Sequence, residues 1–112
     1  MFQKQSGDWT QFRALGTFQE VDFHDSDLGL QYWERMEYVW DTAREALQDA
    51  YAQGLEYVIF THGWSTSQLG KTTSRSQVRK LMRSKEATPY IIRRECIQHR
   101  SVFVAAIRPL PH

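Results

Sequence analysis

The sequence has a single cysteine, Cys96, so an internal disulfide bond is excluded. No segment approaches the roughly 20 consecutive apolar residues that a membrane-spanning helix needs, and no membrane partner is expected. The first eight residues lack the apolar centre of a secretory signal peptide. There is no internal repeat, and no low-complexity segment beyond a short Ser/Thr-rich loop. These absences favour a cytoplasmic protein in which Cys96, set in an apolar run, packs in the core rather than acting as a nucleophile.

The composition is typical of one small globular domain. Of the 112 residues, 41% are hydrophobic and 13% are aromatic, which is enough for one core and too much for a disordered chain. We expect an N-terminal arm over residues 1–16 and an α/β domain over residues 17–112. The arm carries Trp9, Phe12 and Leu15. It suits a free arm, an edge strand or a contact through which a homo-oligomer forms, and the sequence leaves these three open.

Charge is divided unevenly along the chain. Residues 1–70 hold four Lys or Arg against eleven Asp or Glu, a net charge of −7, whereas residues 71–112 hold ten against two, a net charge of +8. Such a split indicates an anion-binding surface in the second half and favours DNA or RNA as the partner. The alternative is that the two halves neutralise each other within the fold.

A long amphipathic helix is the strongest local pattern. No proline or glycine interrupts residues 30–53, and apolar residues recur every three or four positions. Those positions are Leu30, Trp33, Met36, Trp40, Ala43, Leu47 and Ala50. We predict a helix over about residues 29–53, with Gly54 as the left-handed residue just beyond its C-terminus.

Strand patterns flank this helix. Alternation over residues 17–24 and the apolar run over residues 55–60 predict two strands, which a βαβ connection makes parallel. A second helix is predicted from Thr73 or Ser74 to about Ser84. Two further strands are predicted at residues 90–92 and 101–107, joined by a hairpin within residues 94–99. The expected fold is a two-layer α/β sandwich of order β-α-β-α-β-β, with a mixed four-stranded sheet and two helices.

A histidine follows each strand of the βαβ unit, His24 in the first and His62 in the second. Because the carboxyl ends of parallel strands form the usual ligand site, we expect both histidines at one edge of the sheet. The start of the second helix opens there too, and its backbone N–H groups attract anions. Imidazole, cations and a helix N-terminus together suit a phosphodiester site, since they supply a proton shuttle and charge stabilisation.

The chain resembles the small MutS-related (Smr) family, small α/β domains that bind DNA or RNA and include nicking endonucleases and ribonucleases. Residues 21–25, Val-Asp-Phe-His-Asp, are similar to the family's opening Leu-Asp-x-His-Gly. Residues 61–65, Thr-His-Gly-Trp-Ser, are similar to its His-Gly-x-Gly, and residues 78–82, Val-Arg-Lys-Leu-Met, to its basic helix. The resemblance spans roughly residues 17–108.

The resemblance implies catalytic roles for Asp22 and His24, with Asp22 either orienting His24 or helping to bind a divalent cation. It implies contact with nucleic acid for His62 and Gly63. This set is extended by the basic residues after His62 and by Trp64, whose indole could stack on a base. The residues expected to contact nucleic acid are His62, Gly63, Trp64, Lys71, Arg75, Arg79 and Arg83. No metal site is predicted, because the spacing of the histidines matches no strong ligand pattern.

The sequence also departs from the family pattern. Asp25 and Ser65 stand where the family has glycine, and residues 95–100 replace the glycine-rich run before its last strand. Asp22, His24 and His62 are equally consistent with structural roles at strand ends. Two alternatives therefore stay open, a degenerate family member that has lost the chemistry and a non-catalytic protein-interaction module using the basic helix and the aromatic arm.

Overall fold

The computed structural model describes residues 3–5, 17–23, 32–62, 74–99 and 102–110. The strands in this part of the chain are β1 (Gln3–Gln5), β2 (Phe18–Asp22), β3 (Tyr57–Thr61), β4 (Ile97–His99) and β5 (Val102–Ala106). The helices are α1 (Tyr32–Gln53) and α2 (Ser74–Met82), and a 3-10 turn spans Arg93–Glu95. The predicted α/β fold with a mixed sheet and two helices is confirmed.

The strands form one mixed sheet in the order β1-β4-β5-β3-β2. Strands β2 and β3 are parallel, with Asp22 opposite Thr61, so the predicted βαβ unit is confirmed. Strand β5 is antiparallel to β3 on one side and to β4 on the other. Since β1 is parallel to β4, four strands run in one direction and β5 alone runs against them.

The sheet has one strand more than the sequence predicts. Residues Gln3–Gln5 pair in parallel with β4, and Gln5 lies opposite His99. Of the three arrangements left open for the N-terminal arm, these residues adopt the edge strand. The aromatic residues Trp9 and Phe12 of the arm, with Leu15, lie outside the described residues.

The predicted strand at residues 90–92 is wrong. Ile91 makes only an isolated bridge to Ile107, and the strand that pairs with β5 is β4, which lies within the predicted hairpin connection. Ile91 is fully buried in the core. The 3-10 turn that follows then interrupts the extended backbone. The apolar character of this segment therefore serves core packing, not a strand ladder.

Both helices pack on the same face of the sheet. The main core joins α1 and α2 to alternate residues of β3 and β5, among them Val58, Phe60, Phe103 and Ala105. The opposite face carries a smaller buried cluster of Ile59, Val102 and Val104. All five residues of β5 are buried, as expected for a strand that is central and covered on both faces.

The buried face of α1 differs from the predicted one. Met36, Ala43, Leu47 and Ala50 are buried as predicted. Trp33 is 65% exposed, whereas Val39 and Ala46 are buried. Trp40 is half-buried and its indole N–H donates to Glu86 Oε2 at 2.8 Å. The spacing alone does not distinguish the predicted apolar face from the one that is buried. A tryptophan at the margin of the face counts as apolar in the pattern even when its side chain lies in solvent.

The C-terminus of α1 closes as predicted. Gly54 has φ of +72°, the left-handed conformation that glycine adopts without a steric penalty. Its N–H donates to Tyr51 O at 3.2 Å, and the N–H of Leu55 donates to Ala50 O at 3.0 Å. These two bonds form a Schellman motif, which satisfies carbonyls that the helix end would otherwise leave unpaired.

Neither helix in the described ranges is both long and apolar enough to cross a membrane.

Cys96 lies in the main core and is fully buried. Burial disfavours the charged thiolate and raises the pKa of the Cys96 thiol from 9.0 to about 11. The expectation that this cysteine packs rather than reacts agrees with this environment, since the thiolate is the reactive form.

Substitutions in α1 test which side of the helix is buried. Val39→Ala removes two methyl groups from a site with no exposed surface and should lower the free energy of unfolding by about 2 kcal/mol. Trp33→Ala removes a larger but mostly exposed side chain and should change it by less than about 0.5 kcal/mol. Urea denaturation of the two variants measures both values. A larger loss for Trp33→Ala than for Val39→Ala would contradict the assigned face.

Alkaline titration tests the environment of Cys96. Because the folded pKa is raised, the stabilising effect is fully present below about pH 9 and is lost as the pH rises towards 11. The free energy of unfolding should therefore fall by up to about 1.4 kcal/mol per pH unit in that window. The Cys96→Ala variant should lack this component, so the difference between the two stability curves measures it. Parallel curves for the two proteins would show that the thiol is not buried.

Candidate nucleic-acid interface

One edge of the sheet gathers the carboxyl ends of the four parallel strands. They end at Gln5, His99, Thr61 and Asp22, and we call this line of residues the carboxyl edge. The antiparallel strand β5 begins at the same edge, where Val102 lies opposite Thr61. In parallel architectures this is the edge at which ligands bind.

Asp22 and His62 lie at the carboxyl edge but face opposite sides of the sheet. Val58 and Phe60 belong to the core beneath the helices, and alternation along the strand carries His62 to the same side. Asp22 is opposite Thr61, on the side of the sheet facing away from α1 and α2, and its side chain is exposed. His62 is only 2% exposed. The two residues are neighbours along the edge but do not form one cluster of side chains.

Several predicted site residues fall outside the described part of the chain. These are His24, Gly63, Trp64 and Lys71. The backbone of Arg75 lies in the first turn of α2, but its side chain is also outside the described residues. The predicted meeting of His24 with His62 is consequently supported only by the strands that precede them. Strand β2 and strand β3 end opposite each other, and the N–H of Phe23 donates to Thr61 O at 2.6 Å.

Helix α2 is fixed next to the carboxyl edge by two side chains. Gln77 Nε2 donates to Met36 O at 3.1 Å and thereby ties α2 to the start of α1. Arg79 Nη2 donates to His99 O at 3.2 Å and ties the helix to the end of β4. Val78, Leu81 and Met82 supply the buried side, as predicted.

The outer side of α2 is cationic. Arg79 and Lys80 lie in α2, and Arg83 directly follows its last residue, with its N–H donating to Arg79 O at 3.2 Å. The three lie within about a third of the helical circumference, and we call them the basic face of α2. Lys80 and Arg83 are exposed, whereas Arg79 is half-buried. Arg83 Nη2 lies 3.5 Å from Gln98 Oε1, so its guanidinium reaches over β4. The segment Ser74–Met82 contains no acidic residue, so nothing within the helix opposes this charge.

The two oppositely charged halves of the chain meet at the helix pair. At this contact the signs of charge are reversed. A base from the acidic half, Arg44, pairs with an acid from the basic half, Glu86, at 3.5 Å. The same arginine also pairs with Asp41 at 3.2 Å. In the contacts above, Arg79 and Arg83 donate to the oxygen atoms of His99 and Gln98.

A structural role for His99 is not evident from the sequence, where it lies within the predicted hairpin connection. Its carbonyl anchors Arg79, and the residue is only 4% exposed. Among the described residues, no group of three His, Cys, Asp or Glu side chains could hold a metal ion. Strand pairing brings His99 to the carboxyl edge, and no local sequence signal reveals that pairing.

Comparison with known proteins gave no relative: no family model, no curated protein and no solved structure matches the chain.

Proposed function

We propose that the chain is a nucleic-acid-binding domain of the Smr type that holds DNA or RNA along the carboxyl edge and the basic face of α2. The observation that carries this proposal is the anchoring of a purely basic helix beside the ends of two parallel strands. Cations on one helix face meet successive phosphates of a strand. Such contacts supply most of the affinity of sequence-independent binding.

Two acidic side chains of β2, Glu20 and Asp22, lie on the face of the sheet opposite α2. Glu20 lies opposite Ile59, on the face of the sheet turned away from α1 and α2, and Thr61 Oγ1 donates to its carboxylate at 3.5 Å. Asp22 lies on that same face. Both helices pack on the other face. The sheet therefore separates the two carboxylates from the cations of α2.

The second part of the proposal is a weak endonuclease activity at the end of β2. Here His24 would act as general acid or base, and Asp22 would orient it or help to bind a divalent cation. Water would attack phosphorus, and the bond to the leaving oxygen would break. The imidazole would accept the proton of the attacking water as a base, or donate a proton to the leaving oxygen as an acid. Asp22 suits this role because it is exposed at the carboxyl edge and precedes His24 by two residues.

Salt titration tests the binding surface. Lys80→Gln and Arg83→Gln each remove one exposed cation from the basic face and should weaken binding to DNA and RNA of any sequence. Each should also reduce the slope of log K against log salt by roughly 0.7 to 0.9. Arg44→Gln is the matched control, because it removes a charge that Asp41 and Glu86 already compensate on the helix pair. Fluorescence anisotropy with labelled single- and double-stranded oligonucleotides measures both quantities.

Two results would contradict the binding surface. One is absence of binding at low salt, which would favour the alternative of a protein-interaction module. The other is an equal effect of Arg44→Gln and Arg83→Gln.

A nicking assay tests the catalytic part. The native chain should convert supercoiled plasmid to open circles or cleave single-stranded RNA, with and without added Mg²⁺ as parallel arms. His24→Ala and Asp22→Asn should each lower the rate at least roughly a hundredfold, as loss of a general acid–base group does, while oligonucleotide binding stays within about twofold. Equal rates in all three preparations would identify a contaminating nuclease. No cleavage by the native chain would leave a binding domain that lacks catalysis.

A further inference from the structure

A cavity at the opposite edge of the sheet is lined by three arginines. It measures about 540 Å³ and its lining residues are Ile92, Arg93, Arg94, Arg108 and Pro109. The first three precede β4 and the last two follow β5, so the cavity lies where β3 and β4 begin, away from the carboxyl edge. We call it the arginine cleft. None of its lining residues in the described part of the chain is acidic.

Two of the three guanidinium groups are held in place by backbone carbonyls. Arg93 donates from Nε to Met82 O at 2.9 Å and from Nη2 to Ser84 O at 2.6 Å. Arg108 donates from Nε to Thr88 O at 3.1 Å. These acceptors are neutral, so the positive charge of each arginine is kept. A guanidinium has five N–H donors, and the bonds made by Nε and one terminal nitrogen leave others for a ligand.

The chemistry of the cleft selects an anion with several oxygen atoms. Bidentate contact between guanidinium and phosphate is strong and geometrically specific. Fixing the side chains beforehand lowers the entropy that binding would otherwise cost. The apolar lining by Ile92 and Pro109 adds a surface for an organic group. A volume of about 540 Å³ exceeds the room that a bare phosphate ion needs and lies within the usual range of small-molecule sites.

A smaller cavity of about 260 Å³ lies beside the cleft and shares the lining residues Ile92 and Pro109 with it. Glu56 and Glu95 line this second cavity. Carboxylates accept hydrogen bonds, so this end suits a group that donates them, such as an exocyclic amine. The two neighbouring cavities thus offer cations on one side of Ile92 and Pro109 and acceptors on the other.

We infer that the arginine cleft binds a phosphate monoester whose organic part carries a hydrogen-bond donor, as an adenosine or cytidine 5′-monophosphate does. The same chemistry occurs in a free mononucleotide and at the 5′-phosphorylated end of an oligonucleotide. The site shares no residue with the basic face of α2, so it stands or falls independently of the proposed nucleic-acid interface.

Calorimetric titration of the full chain with adenosine 5′-monophosphate and with adenosine tests the site. The monophosphate should bind at least tenfold more tightly than adenosine, because charge-assisted hydrogen bonds to phosphate are lost without it. Arg94→Gln and Arg108→Gln should each weaken its binding by about tenfold. Lys85→Gln removes an exposed cation that does not line the cleft and should change the dissociation constant by less than about twofold. Arg93 is left intact because it also holds the end of α2.

A second pair of probes distinguishes the two sources of the phosphate. These are a short oligonucleotide with a 5′-phosphate and the same oligonucleotide with a 5′-hydroxyl, each titrated in the background of Lys80→Gln and Arg83→Gln together. Tighter binding of the phosphorylated form, lost in Arg108→Gln, assigns the site to a nucleic-acid end, whereas binding of the mononucleotide alone assigns it to a free nucleotide. Equal binding of monophosphate and adenosine, no binding of either, or an equal loss in Lys85→Gln and Arg94→Gln would overturn the inference. Thermal unfolding confirms that each variant is folded.

Discussion

The position of β5 between β4 and β3 is the constraint on which the rest of the structure depends. This strand is buried along its whole length and pairs antiparallel with both neighbours. Because it reverses direction, β4 and β3 run the same way and their carboxyl ends meet at one edge. The residues before β4 and after β5 then meet at the other edge. Both candidate sites are consequences of this one strand order.

Packing of α2 connects the strand order to the charge distribution. Its apolar residues enter the core beside Phe103 and Ala105, and its two hydrogen-bonded anchors reach α1 and β4. The helix therefore cannot turn its cations inward without exposing Val78, Leu81 and Met82, each of which is fully buried. Burial of such side chains stabilises the fold by about 1.5–3 kcal/mol each. Burial of the apolar face of α2 therefore fixes the orientation of the helix, and its basic face points outward as a result.

The elements that the sequence predicted well are those with strong local signals. Helix α1 has an uninterrupted period and a glycine at its end, and β2 and β3 flank it in a connection whose geometry allows few arrangements. The sequence places the strand that pairs with β5 at residues 90–92, because Ile91 and Ile92 are more apolar than Gln98 and His99 of β4. Local composition does not show which of two segments will pair with a neighbouring strand. Trp33 was placed in the core for a related reason, since a spacing pattern cannot tell the margin of a face from its centre.

The two candidate sites also differ in whether the sequence alone predicts them. A basic α2 beside a strand end could be predicted, because the sequence itself places cations at helical spacing after an apolar strand. The arginine cleft could not, because Arg93 and Arg94 meet Arg108 only through the pairing of β4 with β5 and the bridge between Ile91 and Ile107. In the sequence these arginines look like charges that flank strands and face solvent.

The two groups of cations differ in geometry, and this difference sets what each can bind. Arg79, Lys80 and Arg83 follow a helix face, with one turn of about 5.4 Å between successive levels. A surface of that kind contacts a repeating polyanion at several points and gains little from a single phosphate. The arginines of the cleft converge on one cavity from two chain segments, and backbone carbonyls hold two of them, Arg93 and Arg108. Convergent donors concentrate their field on one small anion, whereas a linear array spreads it along a polymer. Under the two proposals, a nucleic-acid strand would be held by its backbone at one edge of the sheet, and a single phosphate group would be recognised at the other.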